Sequence, residues 1–316
     1  MKVNKRAKSR VLAGVLAVAL AMPFSATAED LIGAGASFPY PLYSKMFAEY
    51  NAKTGSRINY QSVGSGAGIN QIVAKTVDFG AMDGTPKDSD FESAAGKIVY
   101  LPMAKGDVSV PFNLPGVKEI KLSSELLAEI FLGKVTNWGD KKIADQNPNV
   151  KLPKLPITVV HRSDGSGTTD IFTTYLASVS GAWKSTVGAG KAVKWPVGIG
   201  AKGNEGVSGQ VLQIPGSIGY VEYAYTVQQK MATATLPSAN GVYPITGTTW
   251  ILLYQDQNYG GRTKAKAQEL TKLLKWMLND GQQFSEPLYY KKLSAEEKTA
   301  AEETLKGLKF GNENLF

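Results

Sequence analysis

An α/β fold of two lobes facing each other across a cleft is what this sequence predicts, on three observations. Strand-like and helix-like segments alternate along the chain, the pattern of largely parallel sheets. Glycine-serine turns stand at two strand-to-helix junctions about a hundred residues apart, Gly64-Ser65-Gly66 and Gly165-Ser166-Gly167. A third glycine-rich turn, "GAGASF" at 33–38, precedes the first helix. Ligands of open α/β sheets gather at the carboxyl ends of strands, where helices begin. Two such turns, distant in sequence, therefore read as the facing walls of one cleft. The bland alternative is a set of tight turns that use glycine with no ligand.

The elements follow in order. Residues 1–28 read as a secretory signal peptide: five basic residues, then the short apolar run "VLAGVLAVALAM", then an Ala26-Thr27-Ala28 cleavage site before Glu29. The run is too short and wrongly flanked for a permanent span. "LIGAGA" reads as a strand. Leu42, Tyr43, Met46, Phe47 and Tyr50 then recur at helical spacing, with Pro41 near the start and Gly55 past the end. "RINYQSV" alternates as a strand and leads into "GSGAG" and a helix from about Ile69 to Lys75. "VDFGAMD" is a short strand, and "SSELLAEIF" a helix capped by Ser123 or Ser124. "ITVV" at 157–160 is a strand before a helix from about Thr168 to Ser178. "TTWILLY" at 248–254 is a late strand, "AKAQELTKLLKWML" a helix, and "SAEEKTAAEETLKGLK" a solvated amphipathic helix.

Composition narrows the function. The formal charge of +8 falls to about +3 once the five leader charges are removed, so nucleic-acid binding is not expected. Cysteine is absent, which excludes disulfides, thiolate catalysis, cysteine metal sites and a lipid-anchored mature N-terminus. A free protein of the bacterial periplasm fits best. His161 is the only histidine, no acidic cluster has metal spacing, and no metal or cofactor is expected. Enzyme signatures are missing too: there is no G-x-S-x-G elbow and no GK[ST] after a glycine loop. Trp138 and Trp195 could stack a ring but read more simply as packed supports.

The glycine turns suit an anion. A helix N-terminus leaves backbone N–H groups unpaired at the positive end of its dipole, glycine permits close approach, and serine or threonine adds a hydroxyl. "HRSDGSGTTD" at 161–170 offers Ser166, Gly167 and Thr168, "GSGAG" offers Ser65, and "GASF" offers Ser37 and the N–H of Phe38. Arg162 adds a planar cationic fork for a tetrahedral oxyanion, and Asp164 could orient it. Asp83 should repel an anion by about 4 kcal/mol at ~4 Å and an effective dielectric of ~20, unless the ligand carries a proton to donate. Phosphate at neutral pH does and sulfate does not, a difference of roughly a thousandfold. The alternative for Asp83 is a loop aspartate capping a turn.

These residues carry a resemblance. "GAGASFPYPLY", "YQSVGSGAGINQI", "VDFGAMD", "RSDGSGTTDIF", "PGSIGYVEYAY" and "YPITGTTWILLY" occur in the order found in periplasmic phosphate-binding proteins of ABC transporters, over essentially the whole mature chain. The resemblance implies the type II-like periplasmic-binding-protein fold, with lobes at 29–112 plus 245–316 and at 113–244, joined by strands near Phe112 and Tyr243. It implies phosphate contacts from Ser37, Phe38, Ser65, Asp83, Arg162, Ser166, Gly167 and Thr168, with Asp164, Gly66 and Gly35 in support. Delivery of phosphate to an inner-membrane ABC permease and its ATPase subunits, as a monomer and without covalent chemistry, is the implied role. Rival readings are binding of sulfate or phosphonate, and a secreted phosphatase. The sequence departs from the family pattern at Met82 and in the short segment near 236–243.

Overall fold

The computed structural model describes residues 29–238 and 240–316; the leader at 1–28 lies outside them. Two six-stranded sheets organise the chain. The first half opens with β1 (Leu31–Gly35), α1 (Tyr40–Thr54), β2 (Ile58–Ser62), α2 (Ser65–Val73), β3 (Phe79–Asp83) and the long β4 (Ile98–Ser109). Next come β5 (Pro111–Phe112), β6 (Ile120–Lys121), α3 (Ser124–Phe131), α4 (Lys141–Gln146), β7 (Thr158–Arg162), α5 (Gly167–Val179), α6 (Gly181–Thr186), β8 (Ile199–Ala201), α7 (Gly203–Gln213) and β9 (Ser217–Ile218). The chain continues through β10 (Val221–Glu222), α8 (Tyr223–Gln228), β11 (Ala232–Thr235), β12 (Thr246–Tyr254), α9 (Lys264–Leu278) and α10 (Ala295–Lys306).

The first sheet runs β10-β4-β12-β3-β1-β2 and the second β6-β11-β5-β9-β7-β8. The expectation of largely parallel sheets needs correction, because both are mixed. β1 pairs parallel with β2 and β3, but β12 is antiparallel to β3 and β4. In the second sheet β7 is parallel to β8 and β9, whereas β5 is antiparallel to β9 and β11. The reason is the crossings: a strand leaving one sheet for the other enters it in whichever direction the chain is travelling. The chain passes between the sheets from β4 to β5, from β9 to β10, through α8 to β11, and from β11 to β12.

Periodicity decides burial. Leu42, Tyr43, Met46, Phe47 and Tyr50 form the buried face of α1, and Leu270, Leu273, Leu274, Met277 and Leu278 that of α9. Met82 lies wholly buried with Ile69, Ile72 and Leu252 on the opposite face of the first sheet. Trp138 is fully buried and donates to the Gly216 carbonyl at 2.8 Å. Trp195 stacks on His161 at 4.8 Å between ring centroids. Both tryptophans are therefore packed supports. α3 starts where its serine caps: Ser123 Oγ accepts from the Leu126 N–H at 3.3 Å. Ser123→Ala is expected to lower the unfolding free energy by about 1 kcal/mol in urea titrations.

Candidate functional site

Three strand ends and three helix starts of the two sheets converge. β1 ends at Gly35, and the turn after it carries Ser37 and Phe38 into α1. Tyr225 donates to the Ser37 carbonyl at 2.6 Å and Tyr290 to the Phe38 carbonyl at 2.7 Å. With both carbonyls tied back, the Phe38 N–H is left without an acceptor among the described residues. α2 begins at Ser65 rather than near Ile69, because Gly64 at φ +95° serves as its N-cap. Ser65 thereby becomes a first-turn residue, with a backbone N–H that the helix itself cannot satisfy. α5 begins at Gly167 behind the N-cap Ser166, whose Oγ accepts from the Thr169 N–H at 3.0 Å.

The two sheets touch at these turns. The Gly66 N–H donates to the Gly165 carbonyl at 2.9 Å, and the Gly167 N–H to Ser65 Oγ at 3.1 Å. Lys191 bonds both carboxylate oxygens of Asp90 at 2.9 Å across the same seam. Gly167 is required here: an added Cβ would stand 2.5 Å from the Asp83 Cβ and 2.7 Å from its backbone N and O.

Arg162, at the end of β7, is buried and held as a fork. Its Nε donates to Asp164 Oδ1 at 2.8 Å and its Nη2 to Oδ2 at 2.5 Å, and its Nη1 lies 3.4 Å from Thr168 Oγ1. Burial alone would raise the Asp164 carboxyl, but this pair and the Gly203 N–H hold it below the usual carboxylate range.

Asp83, at the end of β3, is 1% exposed. Ser65 Oγ lies 3.2 Å from its Oδ2, while Oδ1 has no hydrogen-bond partner among the described residues. Burial pushes its pKa up to about 7, against the opposing pull of the Thr249 hydroxyl, Arg162 and Ser65. An orphaned buried carboxylate oxygen costs free energy unless something brings it a hydrogen.

The eight contact candidates and Asp164 thus occupy one cluster. Gly35 and Gly66 hold its backbone: a side chain at Gly35 would strike the Ala81 carbonyl, and one at Gly66 would crowd the Gly165 Cα at 3.2 Å. His161 stands outside, its Nδ1 against the Arg162 carbonyl at 3.1 Å and its pKa lowered by burial. Sequence reasoning missed Asn204, Lys191, Thr249 and Tyr220. Thr249 sits directly opposite Asp83 in the β3–β12 register. The only sequence signal for Asn204 was another glycine at a helix start, in "KGNEG".

The PBP superfamily domain profile matches residues 23–280, most of the chain. The phosphate-binding protein PstS of Haemophilus influenzae is 50% identical over 224 residues, covering 70% of this chain and 66% of its own length. That of Xylella fastidiosa Temecula1 is 44% identical over 296 residues, covering 82% and 80%. This chain belongs to the PstS phosphate-binding protein family. The fold of that family agrees with solved structures too distant to show more than fold. One is a putative phosphate ABC transporter substrate-binding protein with bound phosphate from Clostridium perfringens, with TM-score 0.65, 17% identity and coverage of 84% and 100%. Another is a phosphate-binding protein from Stenotrophomonas maltophilia, with TM-score 0.68, 18% identity and coverage of 86% and 92%. Both PstS relatives are phosphate-binding proteins.

Proposed function

We propose that this protein binds inorganic phosphate between its two sheets and delivers it to an ABC transporter for import. The observation that carries the reading is Asp83, a buried carboxylate with a free oxygen amid an arginine and three helix starts. Donors alone would serve any oxyanion; a buried acceptor among them calls for an oxyanion that still holds a proton. Ser37, Phe38, the Ser65 backbone N–H, Arg162, Ser166 and Thr168 would donate to the ligand, the Gly167 N–H would join them by leaving Ser65 Oγ, and Asp83 would accept from it. Hydrogen bonds from these donors, the charge-assisted ones worth ~1.5–3 kcal/mol each before ordering costs, are ample for micromolar binding. Lobes at 29–112 plus 245–316 and at 113–244 would close by a hinge at the crossing segments. Transport by this route needs an inner-membrane permease with its ATPase subunits. A cleaved leader, a monomer without lipid anchor and a periplasmic location complete the reading. Purified protein, denatured and assayed for phosphate, is expected to release close to one phosphate per chain; absence of phosphate together with no binding on titration would overturn it.

Asp83 also gives the site a pH dependence. Protonated, its carboxyl becomes a donor and can serve sulfate; ionised, it repels it. With a pKa of about 7, sulfate affinity is expected to be flat below neutrality and to fall about tenfold per pH unit above it. Competition titrations at pH 6 and pH 9 check this, the expected loss being about a hundredfold.

A further inference from the structure

Asn204, the second residue of α7, is fully buried and touches both halves of the site. Its backbone N–H and its Nδ2 both donate to Ser37 Oγ, at 3.0 and 2.9 Å. The same Nδ2 donates to Thr168 Oγ1 at 3.1 Å. The Glu222 N–H donates to Asn204 Oδ1 at 2.9 Å, which fixes the amide so that its NH2 end faces the two hydroxyls. A hydroxyl oxygen has two lone pairs and one hydrogen. Both lone pairs of Ser37 Oγ are filled by Asn204, and those of Thr168 Oγ1 by Asn204 and Arg162. Neither hydroxyl donates to any acceptor among the described residues, although both side chains are buried.

We infer that Asn204 is a positioning residue that turns Ser37 and Thr168 into obligate donors toward the bound oxyanion. This rests on the phosphate reading and deepens it, for the three N–H hydrogens of Asn204 are all taken by the two hydroxyls and none is left for a ligand. By filling the lone pairs, the amide leaves each hydroxyl one remaining act, donation. At these two positions the site therefore presents donors only, facing the acceptor at Asp83. Asn204 also ties Ser37, which follows β1 of the first sheet, to Thr168 at the second-sheet helix start, so the donors are set only when the halves meet.

The test is calorimetric titration of the full chain with inorganic phosphate, in a double-mutant design. Asn204→Asp replaces the donor with an acceptor that captures both hydroxyl hydrogens, and is expected to weaken phosphate binding at least about a hundredfold. Ser37→Ala is expected to cost about tenfold in the native background and less than about threefold beside Asn204→Asp, since the hydroxyl is already diverted. Asn204→Ala, expected to weaken binding about tenfold, keeps the comparison if the charged variant fails to fold, and beside it Ser37→Ala and Thr168→Val should again cost less than natively. Equal costs in both backgrounds, or Asn204→Asp binding within about threefold of native, would overturn the inference. Failure of the native protein itself to bind phosphate would instead remove the reading beneath it.

Discussion

Asp83→Asn is expected to abolish the discrimination of phosphate from sulfate. The amide is nearly isosteric and uncharged, and it offers a donor where the native site has an acceptor. Sulfate then meets a hydrogen in place of a repelling charge, so its affinity at pH 9 should rise about a hundredfold, the loss that ionised Asp83 imposes there. Phosphate should weaken, because its proton loses its acceptor. The sulfate profile should also lose its dependence on pH. Stability moves the opposite way from function. Asp83 has a folded pKa raised above its usual 3.8 to about 7, so the ligand-free protein is destabilised as pH rises through that window. At pH 8 the penalty is up to about 4 kcal/mol, and Asp83→Asn should therefore melt higher than native protein without ligand. A variant that melts lower and still rejects sulfate would contradict both claims.

Gly167→Ala is expected to cost at least about a hundredfold in phosphate affinity while leaving each half of the molecule folded. The methyl group would sit 2.5 Å from the Asp83 Cβ and 2.7 Å from two of its backbone atoms. Backbone of a central strand cannot yield by the several tenths of an ångström required. The clash lies between the sheets and not within one, so the two halves would stop short of contact. The Gly167–Ser65 and Gly66–Gly165 hydrogen bonds would open with it. Phosphate titration combined with thermal melting separates the outcomes: lost binding with an unchanged apo transition is expected, and undiminished binding would show that the seam does not close on the ligand.

The site was more legible in the sequence than the sheets were. Glycine-serine turns, a lone arginine and "FGAMD" mark chemistry locally, because helix starts and strand ends are short-range features. The direction of β4, β5, β11 and β12 is not written locally; it follows from where the chain crosses between sheets, which period-2 alternation does not record. The early start of α2 is not legible because "SGAGINQ" has too few apolar residues for a helical period until Ile69, while Gly64 supplies the cap five residues sooner. Asn204 and Lys191 stayed hidden for a different reason. Each reaches a partner in the other half of the molecule, Ser37 and Asp90, over sequence separations of 167 and 101. Single polar residues with such distant partners leave no pattern to read.

Titration of the ligand-free protein with phosphate and with sulfate at about pH 8.5, where Asp83 is ionised, tests the central claim most directly. Phosphate should bind with micromolar or tighter affinity and sulfate at least about thirtyfold more weakly. Sulfate binding as tight as phosphate, or no phosphate binding, would contradict the account of a donor-lined site checked by one buried acceptor.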